Sequence, residues 1–129
     1  MRKLIIVTAS FAIIACVFFA GALTANAYKW FQPLVKLNIT NKTGQEIRSL
    51  NIKHVSGRIE NHMRLGTLEK EDSKIIFFYI YGEGSYSIEA VLEDGQLISG
   101  GAGYVESGYS INEIISPSSV LQSGKVYGY

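Results

Sequence analysis

The chain has 129 residues, a single cysteine, and 12 basic against 11 acidic side chains, which gives a net charge of +1 at pH 7. This length accommodates one folded domain beside a short targeting segment. The near-neutral charge excludes the strongly basic surface that nucleic-acid binding requires, and a single cysteine excludes an internal disulfide.

The first 27 residues follow the three-part pattern of a secretory signal peptide. They begin with Met-Arg-Lys, a short basic start, and residues 4–23 carry no charge. Gly21 is expected to interrupt the apolar helix, and the Ala-Asn-Ala triplet at 25–27 offers the small residues that signal peptidase recognises. We therefore expect residues 1–27 to be removed by a cut between Ala27 and Tyr28. The mature protein would be exported, either to the periplasm or out of the cell.

Two other fates of this segment stay open. The uncharged run is about 20 residues long, enough to cross a bilayer core, so residues 4–23 are also a candidate membrane anchor. The tetrapeptide Ile-Ile-Ala-Cys, which ends at Cys16, is similar to a bacterial lipobox. The residues after Cys16 stay apolar through Leu23, where a lipoprotein would change to a polar tether, and this disfavours lipidation. Membrane contact is expected only if the segment is retained or Cys16 is lipidated.

Removing residues 1–27 leaves 102 of the 129 residues, with 10 basic and 11 acidic side chains and no cysteine. A chain of this size buries only about 60–65% of its unfolded surface. The mature domain must therefore be stabilised by packing alone, with no disulfide and no thiol nucleophile.

Short runs of alternating apolar and polar residues, bounded by turn residues, indicate strands rather than helices. The first strand is expected at 35–40, followed by a turn at 41–44 that ends in glycine. A change of phase after Ile47 predicts a β-bulge or a bend near residues 48–49. Another strand is expected near 63–68.

The dipeptide Asp94-Gly95 is the signature of a two-residue hairpin turn. It joins strands expected at 85–92 and 96–103. Such a turn places Leu92 opposite Leu97 and lays the bulky side chains of one strand over the glycines of the other.

Strands at 74–81 and 109–115 complete a count of about seven, with turn signals about every 8–12 residues. This pattern predicts an all-β fold, a small antiparallel β-sandwich, preceded by the N-terminal apolar signal helix. A small β-barrel is the alternative, because periodicity does not separate the two. Residues 28–117 would form the sandwich domain, and residues 118–129, rich in Ser and Gly, a loosely held C-terminal tail.

The sequence contains no recognisable catalytic or metal-binding motif. The segment 82–85 (Gly-Glu-Gly-Ser) lacks the spacing of a serine-hydrolase elbow. His54 and His62 are the two histidines, and a metal site would need further ligands such as Glu60 or Asn61. We therefore expect a protein that is not an enzyme and that holds no metal or cofactor.

The strand at 74–81 is unusual because both of its faces are apolar. One face carries Ile75, Phe77, Tyr79 and Tyr81, and the other carries Ile76, Phe78 and Ile80. A sandwich strand normally has one polar face. Either a loop or the tail covers this strand, or one face is an exposed patch that binds a partner. The candidate partner-binding residues are Phe77, Tyr79 and Tyr81, since tyrosine combines apolar area with a polar tip.

A second pair of aromatic residues, Tyr104 and Tyr109, flanks a short loop and is a candidate platform for a sugar ring. The sequence therefore supports two main hypotheses, with a weak hydrolase or a metal protein as a third. The first is an exported, non-enzymatic β-sandwich that contacts another envelope or secreted protein, as an accessory subunit, an inhibitor or an exclusion factor. The second is a carbohydrate-binding or cell-wall-binding module.

Overall fold

The computed structural model of the protein describes residues 2–28 and 33–126. Its contacts divide the chain into an N-terminal helix and a β domain that begins at Pro33. The helix, α1, spans Arg2–Ala27. Its segment Ser10–Ala27 is long and apolar enough to cross a membrane, a property that signal sequences share. The helix continues through Gly21, so the expected interruption is wrong; one glycine costs a helix only about 1 kcal/mol.

The β domain consists of eight strands. They are β1 (Val35–Asn41), β2 (Ile47–Ser56), β3 (Ile59–Leu68), β4 (Ser73–Phe78), β5 (Glu83–Leu92), β6 (Leu97–Glu106), β7 (Ser110–Ile115) and β8 (Val120–Val126). Sheet A has the order β4-β1-β7-β8, and sheet B has the order β3-β2-β5-β6. Only the β1–β7 pair among these strands is parallel. The all-β sandwich predicted from the alternating pattern is confirmed, and it is not a closed barrel.

The core lies between the two sheets. In β1, Val35, Leu37 and Ile39 are fully buried, while the residues between them face outward. Sheet B contributes the opposite layer, with Leu50, Ile52, Ile88, Ala90, Leu92 and Ile98. β1 therefore buries one alternate set of side chains, as a two-layer sandwich requires, whereas in β3 only Leu68 is buried.

The β-bulge expected after Ile47 is confirmed. The pairing of β2 shifts between Ile47 and Ser49 on the β5 side, and between Ile47 and Leu50 on the β3 side. The shift moves Leu50 and Ile52 onto the core face together with Ile47. The bulge thus resolves the phase conflict that the sequence contains.

The β5–β6 hairpin differs from its prediction. The Leu92 N–H donates to the carbonyl of Gln96 at 2.9 Å, so the loop consists of three residues, 93–95. Gly95 has a φ of +88°, as in three-residue loops that end in a left-handed residue. Leu97 consequently lies opposite Val91 instead of Leu92. The extra loop residue leaves Leu97 exposed and places Ile98 in the core.

The C-terminal segment is also better ordered than expected. Residues 120–126 form β8, which pairs antiparallel with β7, so the prediction of a loosely held tail from residue 118 is wrong there. A Cβ atom at Gly100 would lie 2.4 Å from Cβ of Val120. The glycine therefore allows β6 and β8 to approach closely, and this tertiary packing outweighs the weak strand propensity of Ser and Gly. Residues 127–129 lie outside the described residues.

Candidate functional site

β4 ends at Phe78, three residues before the expected end of the strand at residue 81, but the alternation of buried and exposed side chains continues through Tyr81. Phe78 and Ile80 point into the core, whereas Phe77, Tyr79 and Tyr81 are 57%, 43% and 71% exposed. Ile75 is exposed on the same side and extends the row. We call Ile75, Phe77, Tyr79 and Tyr81 the β4 face. It contains all three residues that the sequence proposed as a partner-binding patch.

The side chains beside the β4 face on sheet A are polar. Lys36 of β1 lies opposite Phe77, and Asn38 lies opposite Ile75. The Asn38 amide donates a hydrogen bond to the Asn112 side chain of β7 at 3.2 Å. The outer surface of sheet A is therefore apolar at the β4 edge and polar in its middle, an arrangement that confines apolar contacts to the edge.

A groove of about 750 Å³ adjoins the end of the β4 face. It separates the end of β4 from β3, at the side of the sandwich where these two edge strands meet. Its lining consists of His54, Ser56, Gly57, Arg58, Ile59, Asn61, His62, Met63, Phe78, Tyr79 and Tyr81. Most of the surface that lines this groove is apolar, as is usual in binding sites.

The ring of His54 forms part of this groove and is almost completely buried. It stacks on Phe78 with 4.7 Å between ring centroids and an angle of 29°. Burial lowers the pKa of His54, which favours the neutral imidazole. Within the described residues its Nδ1 atom has no hydrogen-bond partner, which is uncommon for a buried polar atom.

At the other end of β4, near Lys74, hydrogen bonds connect β4 to β3, an edge strand of sheet B. The Lys74 ammonium donates to the carbonyl of Leu65 at 2.6 Å and to that of Thr67 at 3.1 Å. These carbonyls belong to β3, so Lys74 bridges the two sheets. The open part of this side of the sandwich is therefore the groove beside Phe78.

The two histidines point away from each other. His54 lies opposite Asn61, and His62 lies opposite Lys53, so the two rings are on opposite faces of sheet B. His62 instead contacts Glu60 at 2.8 Å. Within residues 2–28 and 33–126, no group of three metal-ligating side chains is found.

Tyr104 and Tyr109 lie together, with 6.5 Å between their ring centroids and an angle of 63°. Tyr109 is only 6% exposed, whereas Tyr104 is exposed. The Tyr104 hydroxyl donates to Glu106, and this bond raises the pKa of Tyr104. The expected two-ring platform is thus corrected to one exposed ring, because the second ring is buried.

A buried pair in the core was missed by the sequence reasoning. The Tyr86 hydroxyl donates a hydrogen bond to the Glu113 carboxylate, and both side chains are almost completely buried. Burial raises the pKa of Glu113, and the bond from Tyr86 opposes this shift only in part. Glu113 alternates in phase with the apolar Ile111 and Ile115, so the pattern already contained the signal for an inward-facing carboxyl group.

Comparisons with known proteins support the fold and assign no function. No family model matches the chain, and no curated protein matches it. A solved structure, the NMR structure of the protein from Eubacterium rectale, is similar to it with a TM-score of 0.57 and 12% sequence identity. The similarity covers 70% of this chain and 88% of that one. At this identity it shows a common fold alone.

Proposed function

We propose that this protein is an exported, non-enzymatic β-sandwich that binds another envelope or secreted protein through the β4 face. The single observation that supports this function most is the exposure of four large apolar or aromatic side chains in one row. Exposed apolar patches of this kind are typical of interaction sites. An accessory subunit, an inhibitor or an exclusion factor would each use such a surface.

The groove supports the same proposal because it is continuous with the β4 face. Tyr79 and Tyr81 belong to both, so a partner that covers the face can place one apolar side chain beside Phe78 and His54. Interfaces derive most of their binding energy from a few anchors of this type, and tyrosine is enriched among them.

The glycan-binding alternative takes second place. A sugar platform needs an exposed aromatic face, and only Tyr104 of the proposed pair offers one. The β4 face presents more exposed aromatic area than Tyr104 does.

Export of the domain is part of the proposal and rests on α1. We propose removal of residues 1–27 by signal peptidase, with a retained anchor or a lipid on Cys16 as the alternatives. A denaturing mass spectrum of protein recovered from fractionated cells is expected to give a chain that begins at Tyr28. A mass that includes residues 1–27 would replace this part of the proposal with a membrane-anchored domain.

The proposed contact predicts a loss of binding without a loss of folding. The double variant Phe77→Ser with Tyr81→Ser is expected to weaken partner binding by roughly 1,000-fold, since each anchor contributes about 2 kcal/mol and every 1.4 kcal/mol is about tenfold in affinity. Its midpoint of thermal unfolding should stay within a few degrees of that of the unmodified protein, because both side chains are exposed. The measurement is quantitative recovery of co-purifying protein from fractionated cells, followed by native mass spectrometry.

Leu97→Ser is the matched control, because Leu97 is 61% exposed but lies on β6 in the other sheet. The control should retain the co-purifying protein at the level of the unmodified chain. Equal recovery with the double variant and with the control would contradict binding through the β4 face.

A further inference from the structure

β4 is an edge strand of sheet A. We propose that β4 pairs antiparallel with β4 of a second copy of this chain, so that the two copies of sheet A form one continuous sheet. The proposal goes beyond the proposed function, which concerns the side-chain face of β4 and another protein.

The hydrogen bonds of β1 establish which of its backbone groups point to β4. The Asn41 N–H donates to the carbonyl of Asp72 at 2.9 Å, on the β4 side, whereas the Lys36 N–H donates to the carbonyl of Tyr109 at 2.8 Å, on the β7 side. Backbone direction alternates along a strand. Val35, Leu37 and Ile39 therefore share the direction of Asn41 and bond to β4.

The register then identifies the free groups of β4. The pairing runs without a shift from Thr40 opposite Ser73 to Val35 opposite Phe78, so the partners of the three β4-directed residues are Lys74, Ile76 and Phe78. The N–H and C=O groups of Ile75 and Phe77 consequently point away from sheet A. In the described part of the chain they have no hydrogen-bond partner.

The other sheet edges are protected in ways that β4 is not. On β3, the carbonyls of Leu65 and Thr67 accept from Lys74. On the opposite side of the sandwich, β6 and β8 pack against each other at Gly100. After Lys74, β4 reads Ile-Ile-Phe-Phe, without the charge or proline that usually blocks pairing at an edge.

A second copy fits this edge because the free groups are self-complementary. A two-fold axis at Ile76 places Ile75 of one copy opposite Phe77 of the other, and the reverse. Each N–H then meets a C=O in a hydrogen-bonded pair. The exposed aliphatic and aromatic side chains of these pairs become cross-strand neighbours, which stabilises an antiparallel ladder.

The charges at the two ends of β4 favour the same alignment. The turn before β4 carries three acidic residues, of which Glu71 pairs with Lys42 while Glu69 and Asp72 form no ion pair in the described ranges. Arg58, also without an ion pair there, lines the groove at the far end of β4. Antiparallel pairing directs this turn of each copy, which also contains Lys70 and is net negative, toward the end of β4 where Arg58 lines the groove of the other copy.

The register is tested by disulfide formation in the full chain with Cys16→Ala as background. Ile76→Cys is expected to give at least ten-fold more disulfide-linked dimer than Leu97→Cys after mild oxidation in cells, because the two Ile76 positions face each other at the axis. Ile75→Cys alone or Phe77→Cys alone should not link, because the Cα atoms of the same position in the two copies are more than about 7 Å apart in this register. A chain that carries both Ile75→Cys and Phe77→Cys should link, because position 75 of one copy lies opposite position 77 of the other.

Equal linkage of Ile76→Cys and Leu97→Cys would overturn the proposal. So would linkage of Ile76→Cys to a different protein, which would assign the edge to another partner and leave the proposed function intact. A second measurement avoids cysteine in the partly buried Ile76 position. Native mass spectrometry of the full chain should show dimer. Ile75→Lys, which changes an exposed side chain, should lower the ratio of dimer to monomer at least ten-fold. An Ile75→Lys protein that dimerises as the unmodified protein does would also overturn the proposal.

Discussion

Replacement of Asn41 by alanine is expected to lower the free energy of unfolding by about 3–5 kcal/mol. The Asn41 amide donates to the carbonyls of Gln45, Leu68 and Glu69 at 2.9, 3.1 and 3.0 Å. Its oxygen accepts from the N–H and the hydroxyl of Thr43 at 3.0 and 2.8 Å. The side chain is fully buried, so alanine leaves several buried polar groups without a partner.

Thermal and chemical unfolding measure this effect. We expect the midpoint of thermal unfolding to fall by on the order of 20 °C for a domain of this size. Asn38→Ala is the control on the same strand, because its side chain is only partly buried and donates one bond to Asn112. This control should cost less than about 1 kcal/mol. Equal losses of unfolding free energy in the two variants would show that the bonds from Asn41 to Gln45, Leu68 and Glu69 do not stabilise the fold as proposed.

The second large effect is a dependence of stability on pH that originates from Glu113. Burial raises the pKa of this carboxyl group in the folded state. Below the pKa of an unfolded glutamate, about 4.3, Glu113 is neutral in the folded and in the unfolded protein, so its ionisation does not affect stability. As the pH rises toward the higher folded pKa, the unfolded chain releases the proton first. Stability therefore falls over this window and stays lower above the folded pKa.

Glu113→Gln is expected to remove this loss. Glutamine is neutral at every pH and can still accept the hydrogen bond from the Tyr86 hydroxyl. At pH 7 the variant should be more stable than the unmodified protein, by about 1.4 kcal/mol for each unit by which burial raises the pKa of Glu113. At pH 4 the two proteins should be nearly equal. Urea unfolding at a series of pH values measures the difference.

The control for this series is Glu89→Gln, which removes an equal charge from an exposed position on β5. Its stability should follow that of the unmodified protein across the pH range. If stability depends on pH in the same way in the unmodified protein and in Glu113→Gln, burial does not raise the pKa of Glu113.

The sequence predicts those parts of the fold that depend on neighbouring residues. Alternation in β1 and the phase change after Ile47 are local patterns, and both appear in the structure as expected. Gly44 also adopts the positive φ, +87°, that its turn requires. By contrast, the partners of Asn41 at Leu68 and Glu69 are distant in the sequence, so its role as a connection between turns has no local signal.

The errors have a common physical origin in tertiary packing. The loop at 93–95 takes one residue more than the Asp-Gly signature predicts, and this determines that Ile98 rather than Leu97 enters the core. β8 forms in a segment rich in Ser and Gly because it pairs with β7 and packs on Gly100. Neither contact is visible in the composition of the segment itself.

The sequence predicts only part of the candidate site. The pattern of residues 74–81 showed that both faces of the strand are apolar, but not which face lies in the core. The structure places Phe78 and Ile80 inside and leaves Phe77 and Tyr81 exposed. The groove beside His54 was not predicted, because it arises where β3 and β4, two edge strands of different sheets, separate.

The most direct test of the central claim is photo-crosslinking from the β4 face in living cells. A photo-reactive phenylalanine analogue is introduced in place of Phe77 and, in a separate protein, in place of Leu97. The proposed function predicts a discrete adduct with one other protein from position 77 and none from position 97. Equal products from both positions, or an adduct from position 77 with a second copy of the chain alone, would contradict it.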